Sequence, residues 1–163
     1  MAKHSVLFVC FGNTCRSPIA EACFKQLLSE RNMLDDWQVD SAGTSTNHQG
    51  ESPSSRGQSC MKSRGIYHHV EHHKARQITL QDFERFDYIL TMDEGNVSNL
   101  ESLAPAKAHK AQIQLLGSYD SDQSFGGIIT DPYHSIGDEE FEVVYRQCLR
   151  SCREFYNEVT GAP

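Results

Sequence analysis

Five residues separate Cys10 from Arg16 in the run Cys10-Phe11-Gly12-Asn13-Thr14-Cys15-Arg16-Ser17. An apolar run, Val6-Leu7-Phe8-Val9, precedes them, and a stripe of helical spacing follows. A loop of that length between a strand and a helix can wrap a tetrahedral oxyanion with backbone N–H groups, and the positive helix end adds to the field. Arg16 offers a planar fork that grips two oxygens of such an anion, where lysine would supply only a point charge. The same field favours the thiolate of Cys10, a nucleophile that can take up a phosphoryl group covalently. Ser17 is placed to donate a hydrogen bond to that sulfur. Gly12 and Asn13 are residue types that accept left-handed backbone, which so tight a loop needs. Cys-x5-Arg alone arises often by chance, and a cysteine after a strand is usually core. The strand before, the helix behind, the internal Gly-Asn and the following Ser17-Pro18 turn the reading towards catalysis.

A group expelled from phosphorus needs a proton. From Gly117 to Gly137 the chain is rich in Gly, Ser, Asp and Pro and has little periodicity, and so long a loop is usually functional. It carries Asp131, which the following Pro132 holds extended. Asp131 is predicted to act first as general acid and then as general base for the hydrolytic water.

The other cysteines divide by position. Cys15 shares the loop with Cys10. Either the two form a reversible disulfide that shields the nucleophile, or Cys15 only supports the loop. Cys23, Cys148 and Cys152 fall on apolar helix stripes and, with Cys60, read as small buried hydrophobes. His68, His69, His72 and His73 have i,i+4 spacings that would suit a metal on a helix, but no helical pattern accompanies them, so a solvated turn is expected. No CxxC pair signals structural zinc.

Elements that could position these groups alternate. Strands are predicted at Val6–Cys10, Trp37–Ser41, Phe86–Met92 and Ile113–Leu116. Helices are predicted from Ser17-Pro18, with Ser17 as cap and Glu21 in the first turn, from Ser54 to Arg64, through Val97–Leu103, and over Glu139–Val159. The pattern implies an α/β three-layer sandwich, a Rossmann-like four-stranded parallel sheet with a phosphate-binding loop after its first strand. Ligands of such sheets bind at the carboxyl ends of the strands. The 163 residues read as a single domain spanning 1–163. The net charge of −7 argues against a nucleic-acid partner. No apolar run suits a membrane span, and the start shows no signal-peptide pattern, so a cytoplasmic location is expected.

The chain resembles the low-molecular-weight protein tyrosine phosphatase family nearly end to end. The resemblance is carried by Val6 to Pro18, Asp40-Ser41-Ala42, His73-Lys74-Ala75-Arg76-Gln77, Phe86 to Leu90, Met92-Asp93, Leu115 to Tyr119, Asp131-Pro132-Tyr133 and Val144 to Cys148. It implies Cys10, Arg16 and Asp131 as the catalytic set, no metal or organic cofactor, and phosphorylated proteins as substrates of a monomer or weak homodimer. It implies a network of Asn13, Ser17, Ser41 and His73 holding the loop, with Asp93 as electrostatic support. Tyr133 would form pocket wall, with Phe11, and would be a possible phosphorylation site. Asn47 stands where many members carry a pocket aromatic, His134 replaces the second tyrosine of a usual pair, and Thr14 replaces a usual isoleucine. The family's protein-arginine phosphatases carry threonine at that place, so phosphotyrosine and phosphoarginine are both open as substrates. Arsenate reductases of this fold use further cysteines near mid-chain, and none lies between Cys60 and Cys148. A non-catalytic phosphate-binding or redox-sensing module is a further alternative; the intact Cys10, Arg16 and Asp131 speak against it, since mere phosphate binding needs neither the thiol nor the acid.

Overall fold

The computed structural model describes residues 2–162. Four strands, β1 (His4–Cys10), β2 (Trp37–Gly43), β3 (Tyr88–Thr91) and β4 (Gln112–Leu115), form one sheet in the order β2-β1-β3-β4. Every pairing is parallel, so each connection crosses over the sheet. The helices are α1 (Arg16–Glu30), α2 (Ser55–Ser63), α3 (Asp82–Arg85), α4 (Glu94–Leu103) and α5 (Glu139–Thr160).

The sheet is covered on both faces, as the apolar run in β1 requires. Val6 and Phe8 point into a core shared with α1 and α5, while Leu7 and Val9 point into a second core with Phe83, Phe86 and Leu100. In the first core Phe24 of α1 lies between Trp37 and Phe155, with ring centroids 4.9 and 5.7 Å away. Fully burying such a ring contributes about 2–3 kcal/mol. The chain leaves β1 towards β2 on one side and returns to β3 on the other. This puts the end of β1 at the switch point of the sheet, where a crevice opens.

Several element boundaries differ from the sequence reading by a few residues, and those of α1, β3 and α4 have a plain cause. Helix α1 begins at Arg16, with Cys15 at its cap position and no side-chain cap. Ser17 therefore lies inside the helix, and Glu21 lies beyond the first turn. Strand β3 begins at Tyr88, because the preceding residues turn through α3. Helix α4 begins earlier than expected, at Glu94, since the Asp93 carboxylate accepts from the Asn96 N–H at 2.9 Å and Asn96 caps back in return. Helix α2 starts and stops as expected: Ser54 accepts from the Gly57 N–H, and Gly65 follows the last turn at φ 69°. Among the described residues no helix is long and apolar enough to cross a membrane.

Candidate active site

The phosphate-loop candidate leaves β1 at Cys10 and enters α1 at Arg16. Its turn is made by Asn13, at φ 59°. The conformational reason expected for Gly12 does not hold, because its φ is not positive. Gly12 instead leaves space for the His48 ring, which a Cβ 2.8 Å away would oblige to shift. Gly43 at the end of β2 serves the same purpose from the other side, where a Cβ would come within 2.6 Å of the Phe11 carbonyl oxygen.

Asn13 is buried and fully used. Its Nδ2 donates to Ser17 Oγ at 2.9 Å and to Ser41 Oγ at 3.0 Å. Its Oδ1 accepts from the Arg76 N–H at 3.0 Å and from His73 Nε2 at 2.9 Å. These contacts fix hydrogen directions further in. Ser41 donates to Glu21 Oε1 at 2.7 Å. Ser17 accepts from Asn13 and lies 3.0 Å from Cys10 Sγ, to which its hydroxyl donates when the sulfur is a thiolate. The Asn13 N–H donates to the same sulfur at 3.2 Å. The Ser17 hydroxyl and the Asn13 N–H thus converge on the sulfur of a cysteine only 3% exposed.

Arg16 is 4% exposed. Its Nη1 donates to Asp93 Oδ2 at 2.8 Å and to the Ile129 carbonyl at 3.1 Å. Burial opposes its charge, but Cys10, Asp93 and Asp131 together raise its pKa above the ordinary value. Its Nη2 lies 3.7 Å from Asp131 Oδ2. Asp131 itself is exposed, and its Oδ1 accepts from the Tyr133 N–H at 3.1 Å. A carboxyl group thus hangs over the mouth of the loop while the arginine closes its floor.

The cleft above Cys10 measures about 360 Å³. Phe11, Thr14 and Cys15 line one side, Asn47 and His48 another, and Asp131, Tyr133 and His134 the third. All the residues predicted for the loop, its network and the pocket wall are brought together here. Three partners were missed from the sequence alone: Glu21, His48 and His134 as pocket or network members. Glu21 had a signal, being a carboxylate amid the apolar positions of α1, and it is buried with Lys25 Nζ at 2.7 Å.

Cys15 and Cys10 are both free thiols. Burial raises the Cys15 pKa against a lowering contact with Ser54. Cys23, Cys148 and Cys152 are buried, and burial pushes each thiol well up. Cys60 is pushed up to about 11 by burial and by Glu142. The histidine cluster forms a short 3-10 turn over Tyr67–His69 and then a plain turn. Its i,i+4 pairs therefore do not share a helix face. His73 joins Glu21 and Asp40 in a group whose donor atoms lie within 4.8 Å of one another. The carboxylates already have partners, Glu21 in Lys25 and Asp40 in Arg76.

The profile described as low molecular weight phosphotyrosine protein phosphatase matches residues 5–162. The enzyme of that name from Rattus norvegicus is 55% identical over 156 residues, 95% of either chain. The Homo sapiens enzyme is 53% identical over 155 residues, 94% of either chain. Among solved structures, the drosophila arginine phosphatase DARP superposes with a TM-score of 0.87 at 44% identity, over 94% of this chain and 96% of that one. With a parallel four-stranded sheet, a Cys-x5-Arg loop at its switch point and likeness along almost its whole length, this chain belongs to the low-molecular-weight phosphotyrosine protein phosphatase family.

Proposed function

We propose that this chain hydrolyses phosphorylated side chains of proteins through a cysteinyl-phosphate intermediate. The observation that carries the reading is the convergence on Cys10 Sγ of the Ser17 hydroxyl and the Asn13 N–H, beside a buried arginine and below an exposed aspartate 3.7 Å from it. The Cys10 thiolate attacks phosphorus, the S–P bond forms and the P–O bond to the side chain breaks. Asp131 gives its proton to the departing oxygen. Asp131 then takes a proton from water as that water attacks phosphorus, the S–P bond breaks, and phosphate leaves with the thiolate restored. Arg16 and the loop N–H groups hold the equatorial oxygens, whose charge is spread in the transition state. The Ser17 hydroxyl stabilises the sulfur both as nucleophile and as leaving group. No metal or organic cofactor enters any of these steps.

The nominal substrate is phosphotyrosine, after the family and the relatives' names. Phe11 and Tyr133, 47% and 59% exposed, offer apolar surface at the cleft mouth for an aromatic ring. Phosphoarginine is the second reading. Thr14 lines the cleft, and among the described residues its hydroxyl has only a long 3.9 Å contact, to Cys15 Sγ, which leaves it available to meet a guanidinium. A neighbour in fold, DARP, is by its name an arginine phosphatase. Phosphate release from paired phosphotyrosine and phosphoarginine peptides, with Cys10→Ser as blank, tests both readings. Phosphotyrosine preference is the expected result. A phosphoarginine preference that Thr14→Ile reverses would replace it, and release from neither peptide would overturn the phosphatase reading.

Cys15 is proposed as redox partner of Cys10. Mild peroxide should give a disulfide that thiol reductant reverses, and Cys15→Ser should make the inactivation irreversible.

A further inference from the structure

The acid Asp131 lies in a stretch without regular structure, and its two flanks are held differently. Upstream, the chain is tied to the body of the fold. The Ile129 N–H donates to the Met92 carbonyl at 2.9 Å, and the Thr130 N–H donates to Gln147 Oε1 at 2.9 Å. Gln147 Nε2 in turn donates to the Ile128 carbonyl at 3.0 Å. Downstream, among the described residues, one side chain from outside the loop hydrogen-bonds residues 133–138, and it is Arg56 of α2. Its Nη1 donates to the Ser135 carbonyl at 2.6 Å, and its Nη2 donates to Ser135 Oγ at 3.0 Å and also to the Gly137 carbonyl. Its Nε lies 3.7 Å from the Asp138 carboxylate. The guanidinium is itself set by the Phe141 ring, 4.7 Å below it. Ser135 passes the restraint back, because its N–H and its hydroxyl both donate to the Pro132 carbonyl, at 3.1 and 2.7 Å. Pro132 is the residue after Asp131.

We propose that Arg56 is a positioning residue for Asp131: it clamps the downstream flank of the acid loop so that the carboxyl stays over the scissile bond. The proposal rests on the phosphatase reading above. A clamp of this kind acts on the step in which the leaving group needs a proton and leaves phosphate binding alone. Proton donation matters most when the leaving group is poor. kcat/KM reports that step, since it covers events up to phosphoenzyme formation.

The test compares kcat/KM on phenyl phosphate, a poor leaving group, with that on p-nitrophenyl phosphate, a good one. Inhibition by inorganic phosphate serves as the check on the phosphate loop. Arg56→Met should lower kcat/KM for phenyl phosphate about tenfold and for p-nitrophenyl phosphate by less than about twofold, with phosphate inhibition unchanged, because an acid misplaced by about an ångström loses much of its effect. Arg56→Lys, which keeps charge but not the fork, should fall between. Ser135→Ala should show the same ester pattern to a smaller degree. In an Asp131→Asn background, Arg56→Met should have no further effect. An equal fall on both esters, or a fall that persists without Asp131, would overturn the clamp while leaving the phosphatase reading in place. A wild-type chain inactive on both esters would overturn that reading and this inference with it.

Discussion

Between Cys10 and Ser17 the loop is over-determined. Asn13 alone spends four hydrogen bonds there, to Ser17, Ser41, His73 and Arg76, and Gly43 makes room for the Phe11 carbonyl, 2.6 Å from where a Cβ would sit. Between Asp131 and Asp138 the opposite holds. Asp131, Tyr133, His134 and Ile136 are exposed, and Arg56 supplies the hydrogen bonds from outside. The difference follows from what each loop must do. An anion cradle works only if its donors are already aimed, since reorganising them during reaction would forfeit their effect. An acid must let a bulky protein side chain enter beneath it and leave again, which a packed loop would forbid. Hydrogen bonding and burial are concentrated around the phosphate, and the side that meets the leaving group is left exposed.

The contrast predicts two distinct kinds of damage. Asp131→Asn should lower kcat/KM on phosphotyrosine peptide about 10²-fold or more, with thermal stability and phosphate inhibition unchanged. An unfolding midpoint that moved with this substitution would show that the acid loop supports the fold as the phosphate loop does, and the contrast would fail.

Asn13→Ala tests the other side. It removes four hydrogen bonds, leaves the Arg76 N–H without its acceptor and places an ordinary residue at positive φ. The expected cost is about 3 kcal/mol of stability, together with weaker phosphate inhibition, read by denaturant unfolding and by inhibition assays on the same preparation. If stability were lost without any change in phosphate inhibition, the loop would not depend on Asn13 for its aim.

The two regions were also unequally legible in the sequence. The phosphate loop could be read because its chemistry is local: Cys10, Asn13, Arg16 and Ser17 lie within one short run between two elements whose periodicities are plain. The order of strands and helices was legible for the same reason, hydrophobic spacing being a local property. Ser17 was misread as a cap because Ser-Pro is a helix-start signal, and its hydroxyl instead serves the sulfur from inside α1. Gly12 was given a conformational reason where the true one is the closeness of His48, a contact across the fold that no spacing reveals. Arg56 belongs to the same class, since its partners Ser135 and Gly137 lie far along the chain. The short helix α3 has too few residues to show a period and shifted the start of β3 with it.

The smallest expected effect is on pH dependence, and it should fall on the phosphate-loop side alone. His69 lies against α1, and its ring nitrogen is 2.9 Å from Gln26 Oε1. Burial, then His68 and Lys25, lower its pKa to about 4 from the ordinary 6.5. The unfolded chain therefore takes up a proton near pH 6.5, whereas the folded chain resists it until about pH 4. In that window the unfolded state binds more protons, so stability rises with pH. The contribution is complete above 6.5 and is lost as pH falls towards 4. His69 is only partly buried, so solvent screening leaves about 1 kcal/mol at most. His73 has its pKa lowered in the same direction, by burial against the pull of Glu21 and Asp40, and adds to the same slope. His69→Gln should flatten the fall of the denaturation midpoint between pH 6.5 and 4 while leaving kcat/KM at neutral pH unchanged. An unaltered slope would mean that these histidines meet solvent more freely than their packing on α1 implies, and that the rigid side of the molecule ends nearer the phosphate loop.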